Sequence, residues 1–185
     1  ALNAAMTGHL VLSTLHTNSA AAALPRMLDM GAEPFLIAST ANVIIAQRLV
    51  RKLCPDCRKP YQLDEKQLAS LGKSYAIGPL FETMQKNPEI EKIIGTAKKM
   101  DEVTFYVTGG CDQCSGEGYR GRLGIYEVLE MQTNIRKLVT HSATTEEIEE
   151  TARKENGMYT MVEDGFLKAV QGFTTLEEIM RVTKE

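Results

Sequence analysis

Apolar residues crowd residues 9–17, "HLVLSTLHT", without the strict alternation of a half-exposed strand, and a short run of this kind predicts a strand covered on both faces. The period then changes. In "TNSAAAALPRMLDMG" an alanine run follows Asn18 and Ser19, either of which can cap a helix, and Gly31 stops it, with Pro25 expected to kink it. A second helix is expected to begin at Pro34, a favoured first position, and to run through "FLIASTANVIIAQRLVRKL". Its apolar residues wrap much of the circumference, which predicts burial. Strand, helix, helix is half of an α/β unit, and one or two strands cannot bury that much helix surface. With "ALNAAM" reading as the last turns of a helix, the expectation is a piece of a longer chain whose neighbouring structure is absent.

From residue 61 to residue 102 the pattern becomes charged and broken, with glycines at 72, 78 and 95 and prolines at 79 and 88. "DEKQLASLG" and "PEIEKIIGTAKKM" predict short amphipathic helices, and "VTFYVT" alternates as a strand does. "GRLGIYEVLEM" predicts another strand. The tail reads as helical throughout: "TTEEIEETARKENG" carries a capping box from Thr144 to Glu147 and stops at Gly157, the next helix stops at Gly172, and "TTLEEIMRV" repeats the box with Thr175 and Glu178.

Length and composition narrow the picture. A chain of 185 residues can bury one sizeable core, and its formal charge of −3 gives no overall reason to expect a polyanion partner. Residues 34–50 form the longest apolar-leaning stretch, but Ser39, Thr40, Asn42, Gln47 and Arg48 make it too polar to span a membrane. The opening "ALNAAMTGHL" has neither the basic start nor the cleavage site of a secretion signal.

The four cysteines change the picture most. Cys54 and Cys57, in "LCPDCRKPY", and Cys111 and Cys114, in "GGCDQCSGEGYRGR", repeat one two-residue spacing, the bite that turns both thiolates of a pair toward one tetrahedral metal, with zinc expected. Between the pairs lie 53 residues, where compact ribbons use roughly 15 to 20. Loop-closure entropy grows only logarithmically, so the excess costs roughly 1 kcal/mol, against ~10–16 kcal/mol returned by a structural zinc site. Four buried thiols, a redox-active pair and disulfides are the alternatives. Four thiolates leave no open coordination position, so a site of this kind holds structure and does no catalysis. Gly116, Gly118 and Gly121 then permit the tight turn after the second pair.

His9 and His16 stand at the two ends of the first predicted strand. Seven residues apart, they point to opposite faces of a straight strand and sit roughly 23 Å apart, so they cannot share one ligand within a single subunit. Ligands of open α/β sheets bind beyond the carboxyl ends of strands, which favours His16, with Thr14 and Asn18 near it; the other reading for either histidine is one satisfied by backbone hydrogen bonds.

"TGHLVLSTLHTNSA" resembles the histidine box of the secretion motor ATPases, which power type II secretion and type IV pilus assembly, and the resemblance continues through "DMG", "IAQRLVRKLCPDC", "GCDQCSGEGYRGRLGIYEVL" and "TTLEEIMRVT". It lapses from about residue 62 to residue 102. The cysteines narrow it to extension-type motors, since retraction motors generally lack them. The resemblance implies an α/β fold: residues 1–53 as the end of a RecA-like P-loop NTPase core, 54–122 as a zinc-binding insertion, and 123–185 as a strand with an α-helical C-terminal subdomain. It implies a homohexameric parent, cytoplasmic and peripheral to the inner membrane, that hydrolyses ATP with Mg²⁺ and drives an inner-membrane platform protein. His16 would sense or position the terminal phosphate, His9 would serve packing or a neighbouring subunit, and Arg48 would contact nucleotide or an interface, with Cys54, Cys57, Cys111 and Cys114 on structural Zn²⁺. Arg48 has another reading, a solvated basic face shared with Arg51, Lys52, Arg58 and Lys59.

No G-x-x-x-x-G-K-[ST] occurs in the 185 residues, so the chain by itself is expected neither to bind ATP tightly nor to hydrolyse it. The rival is a free-standing zinc-ribbon adaptor for protein or nucleic acid. Its support is the basic cluster around the first cysteine pair; the negative net charge speaks against nucleic acid as a partner.

Overall fold

A computed structural model describes residues 1–183 as a mixture of helices and strands. The chain begins with α1 (Leu2–Met6), and residues 9–17 then run without regular structure. The strand expected there does not form. A strand is held by the backbone bonds of a ladder, and no described strand lies beside this segment; Leu10 and Leu12 are each 89% exposed. Next comes α2 (Ala23–Asp29), where Pro25 sits in the first turn, in which a missing N–H costs nothing, so no kink follows.

The second expected helix is the larger correction. Only α3 (Pro34–Thr40) is helical; Ala41 and Asn42 lead into a strand, β1 (Val43–Leu53). The run of β-branched Val43, Ile44 and Ile45 favours the extended backbone, and from Val43 to Val50 exposure alternates with partial or full burial, the period of a strand. What settles it is a partner far away in sequence, β4 (Tyr119–Glu130), whose end is joined to the start of β1 where the Met131 N–H donates to the Asn42 carbonyl.

Between these strands lie β2 (Lys59–Tyr61), α4 (Glu65–Gly72), α5 (Ile77–Lys86), α6 (Pro88–Ile94) and β3 (Phe105–Val107). The sequence anticipates α4, with Asp64 and Gln67 closing a capping box, and α6, capped by Asn87. It hides α5, because Gly78 and Pro79 read as a break, yet both fall in that helix's first turn. The tail forms α7 (Thr133–Thr140), α8 (Thr145–Asn156), α9 (Met161–Val170) and α10 (Leu176–Thr183). The Thr144–Glu147 box closes as expected. At α10 the Thr175 hydroxyl accepts from the Glu178 N–H, but the Glu178 carboxylate is engaged elsewhere.

Contacts divide the chain into two units. One comprises Ala1–Gln47 and Tyr126–Met161, and its core gathers Leu24, Ile37, Leu129, Ile135, Val139 and Ile148. Glu127 is buried in it, accepting the Ala20 N–H at 2.7 Å, and burial pushes its carboxyl above the usual range against that bond. Val43, Ile45, Tyr126 and Val128 stay largely exposed in the same unit. The other unit comprises Arg48–Ile125 and the chain from Val162. There the residues for which the sequence gives no motif supply much of the core: Leu80, Met84 and Ile90 pack with Phe166, Leu167 and Ile179 of α9 and α10. No helix among the described residues is long and apolar enough to cross a membrane.

Candidate metal centre

Two strand pairs bring the cysteines together. Cys54 follows β1 and Cys57 precedes β2; Cys111 follows β3 and Cys114 precedes β4. Antiparallel pairing of β2 with β3 sets Lys59 opposite Val107, which brings the ends of the two cysteine turns side by side. On the other flank the Cys54 N–H donates to the Gly118 carbonyl at 3.0 Å. The long sequence separation is thus closed by backbone ladders on both sides of the site. The chain also approaches itself tightly here: a Cβ on Gly109 would lie 2.0 Å from the Cys57 carbonyl oxygen, and one on Gly118, at φ +75°, would lie 2.4 Å from the Thr108 Cβ.

The four Sγ atoms lie within 4.8 Å of one another. Cys54 to Cys111 and Cys57 to Cys114 measure 3.8 Å, and Cys111 to Cys114 measures 3.7 Å. Four sulfurs at a Zn–S length of about 2.3 Å define a tetrahedron whose edge is about 3.8 Å. A disulfide needs about 2.05 Å, so the cysteines are free thiols set at the edge length of a zinc tetrahedron. They fit the ion.

Backbone donors complete the fit. The Cys111 and Gly118 N–H groups each donate to Cys114 Sγ at 3.2 Å, and backbone donors at Asp56 and Gly109 serve Cys54 and Cys57. Without a metal, burial pushes the Cys54 thiol up and the Cys57 thiol up to about 12. Burial acts the same way on Cys114, yet its two N–H donors hold it down to about 7. Four thiolates cannot sit this close without a cation to offset their charge, and a divalent metal supplies it.

The basic cluster around the first turn is partly used up inside the fold. The Arg51 guanidinium pairs with Glu178 at 2.7 Å and lies 4.1 Å from the centre of the Tyr119 ring. Arg58 donates to the Gln171 and Gly172 carbonyls and stacks over Tyr106. Glu178, 1% exposed, also receives two bonds from Arg181; the two guanidinium groups, Arg181 first, hold its carboxyl down to about 2 despite burial. No sequence motif pairs Glu178 with Arg51 or Arg58 with the Gln171 and Gly172 carbonyls, because these partners are more than a hundred residues apart.

His9 and His16 both lie exposed on the segment without regular structure, His9 with Nδ1 3.0 Å from the Thr7 hydroxyl. Arg48 is half-buried in β1. Both histidines belong to the first unit, and Arg48 belongs with the four cysteines to the second.

The family model described as "Type II/IV secretion system protein" matches residues 1–181. The chain is 42% identical over its full length to "Type II secretion system ATPase E" of Vibrio cholerae and covers 32% of that protein. It is 43% identical over its full length to "Type IV pilus assembly ATPase PilB" of Pseudomonas aeruginosa, of which it covers 28%, and 40% identical to "Type II secretion system protein E" of the same organism, of which it covers 32%. The chain therefore spans about a third of the length of these relatives. The family match over residues 1–181 and identity sustained from end to end place this chain in the type II/IV secretion system protein family.

Proposed function

We infer that this chain is part of a motor ATPase that powers type II secretion or type IV pilus assembly, and that it contributes the end of a RecA-like core, a structural zinc module and a helical cap. The observation that carries the reading is full-length identity of 40–43% to proteins named for those two machines. The first unit supports it. Leu10, Leu12, Val43 and Ile45 leave apolar surface open there, of the kind that adjoining parts of a longer protein cover.

In the parent, a homohexamer bound peripherally at the cytoplasmic face of the inner membrane acts on a platform protein. His16 senses or positions the terminal phosphate of ATP bound with Mg²⁺, His9 serves packing or a neighbouring subunit, and Arg48 contacts nucleotide or an interface. Cys54, Cys57, Cys111 and Cys114 hold Zn²⁺, which supplies a rigid cross-link and no chemistry. The 185-residue chain, without a phosphate-binding loop, is inactive by itself.

Phosphate release by the purified chain and by the longer parent tests this. The chain is expected to show no turnover. The parent is expected to lose about a hundredfold in rate on His16→Asn with nucleotide binding retained, the scale of removing one transition-state contact. Turnover by the chain, or an unchanged rate in the variant, would overturn the reading.

A further inference from the structure

The turn between α9 and α10 is bonded to residues next to the cysteines at both of their pairs. The Leu53 N–H, one residue before Cys54, donates to the Phe173 carbonyl at 2.8 Å. Arg58, one residue after Cys57, donates to the carbonyls of Gln171, at 3.3 Å, and Gly172, at 2.5 Å. Thr174 donates to the Arg51 carbonyl at 2.9 Å, while the Arg51 N–H donates to Glu178 at 2.8 Å. Beside the second pair, the Tyr119 and Thr175 hydroxyls are hydrogen-bonded at 3.1 Å, and Tyr119 follows the glycine whose N–H donates to Cys114 and whose carbonyl receives the Cys54 N–H.

These bonds are shielded. Thr174 is fully buried, Thr175 is 2% exposed and Glu178 is 1% exposed, so breaking them leaves buried polar groups without ready replacement by water. The approach is close as well. A Cβ on Gly172, at φ +72°, would lie 2.5 Å from the Arg58 guanidinium and 2.9 Å from the Tyr106 ring. The turn is thus bonded to or packed closely against residues 51, 53, 58 and 119, on both sides of the four cysteines.

We propose that residues 172–178, the turn after α9 and the start of α10, are a positioning element for the metal centre: their docking holds both cysteine pairs in register, and metal binding in return locks α9 and α10 in place. Coupling of this kind is reciprocal: whatever loosens the C-terminal helical pair weakens metal affinity by the same factor with which metal loss loosens the pair. The proposal rests on the reading of the four cysteines as a zinc site.

The test measures zinc affinity of the 185-residue chain by competition with a chromogenic chelator, together with amide exchange in the presence and absence of zinc. Arg58→Met and Thr174→Val remove turn contacts without touching a ligand, and each is expected to weaken zinc binding about tenfold, within the usual span of coupling between sites. Chelation is expected to speed exchange at residues 172–178 along with the cysteine turns. Wild-type zinc affinity in both variants, with the 172–178 amides still protected after zinc removal, overturns the coupling and leaves the zinc reading standing. A chain that binds no zinc overturns both.

Discussion

Glu178 shows how one carboxylate can decide local stability. It accepts from the Arg51 backbone and from the Arg181 and Arg51 guanidinium groups, and these, Arg181 first, hold its pKa down to about 2. A carboxyl depressed in the folded state stabilises above its unfolded value, about 4.3, and that contribution is lost as pH falls through the folded value. Glu178→Gln is therefore expected to destabilise the chain by about 2 kcal/mol at pH 7. In denaturant melts the gap between the two proteins should close progressively below about pH 4.5. A gap independent of pH would mean that the charge is not what matters. Sequence reading assigns Glu178 only to a capping box, since proximity to Arg51 follows from the fold and from nothing local.

At the scale of elements, the two cysteine turns are joined to strands whose pairing carries the site. Gly109→Ala would push a Cβ to 2.0 Å from the Cys57 carbonyl, with no flexible side chain to give way. It is expected to lower both the melting temperature and the zinc bound per chain, by several degrees and by more than half. Full metal content in a normally stable variant would show that the ladders tolerate a shift. Legibility differs sharply among elements. The helix α8 announces itself through the Thr144–Glu147 box, and α4 and α6 through the amphipathic runs "DEKQLASLG" and "PEIEKIIGTAKKM"; the caps that Asp64, Asn87 and Thr144 supply are local bonds. In β1 the run "VIIAQRLV" satisfies both a buried helix and a strand, and the choice falls to β4, more than sixty residues away. Residues 9–17 have strand composition but no ladder, so composition alone misleads there.

For the whole molecule, the stretch from residue 62 to residue 102 is the test of how the second unit is built. Its Leu80, Met84, Ile90 and Met100 share one core with Phe166 and Ile179, so it is no decoration on a zinc ribbon. Replacing 62–102 by a short glycine-serine loop would still allow β2 and β3 to pair, but it would strip the apolar cover from α9 and α10. The expected result is loss of cooperative melting in that unit, seen as exchange of the α9 and α10 amides at rates near those of an unfolded chain. Retained protection would mean that the cysteine centre alone organises the unit.

The amino-acid sequence by itself determined the two cysteine pairs, the capped helices and the kinship, because each rests on side chains a few residues apart or on a pattern kept along the chain. The tertiary structure decided that residues 43–53 are strand, that the uncharacterised stretch is core, and that Arg51, Arg58 and Glu178 bind the cysteine region to the C-terminal helices. The reason is physical. Cap and ligand spacings are set by backbone geometry within one turn, whereas a ladder, a shared core or a buried ion pair exists only after residues far apart in the chain have met.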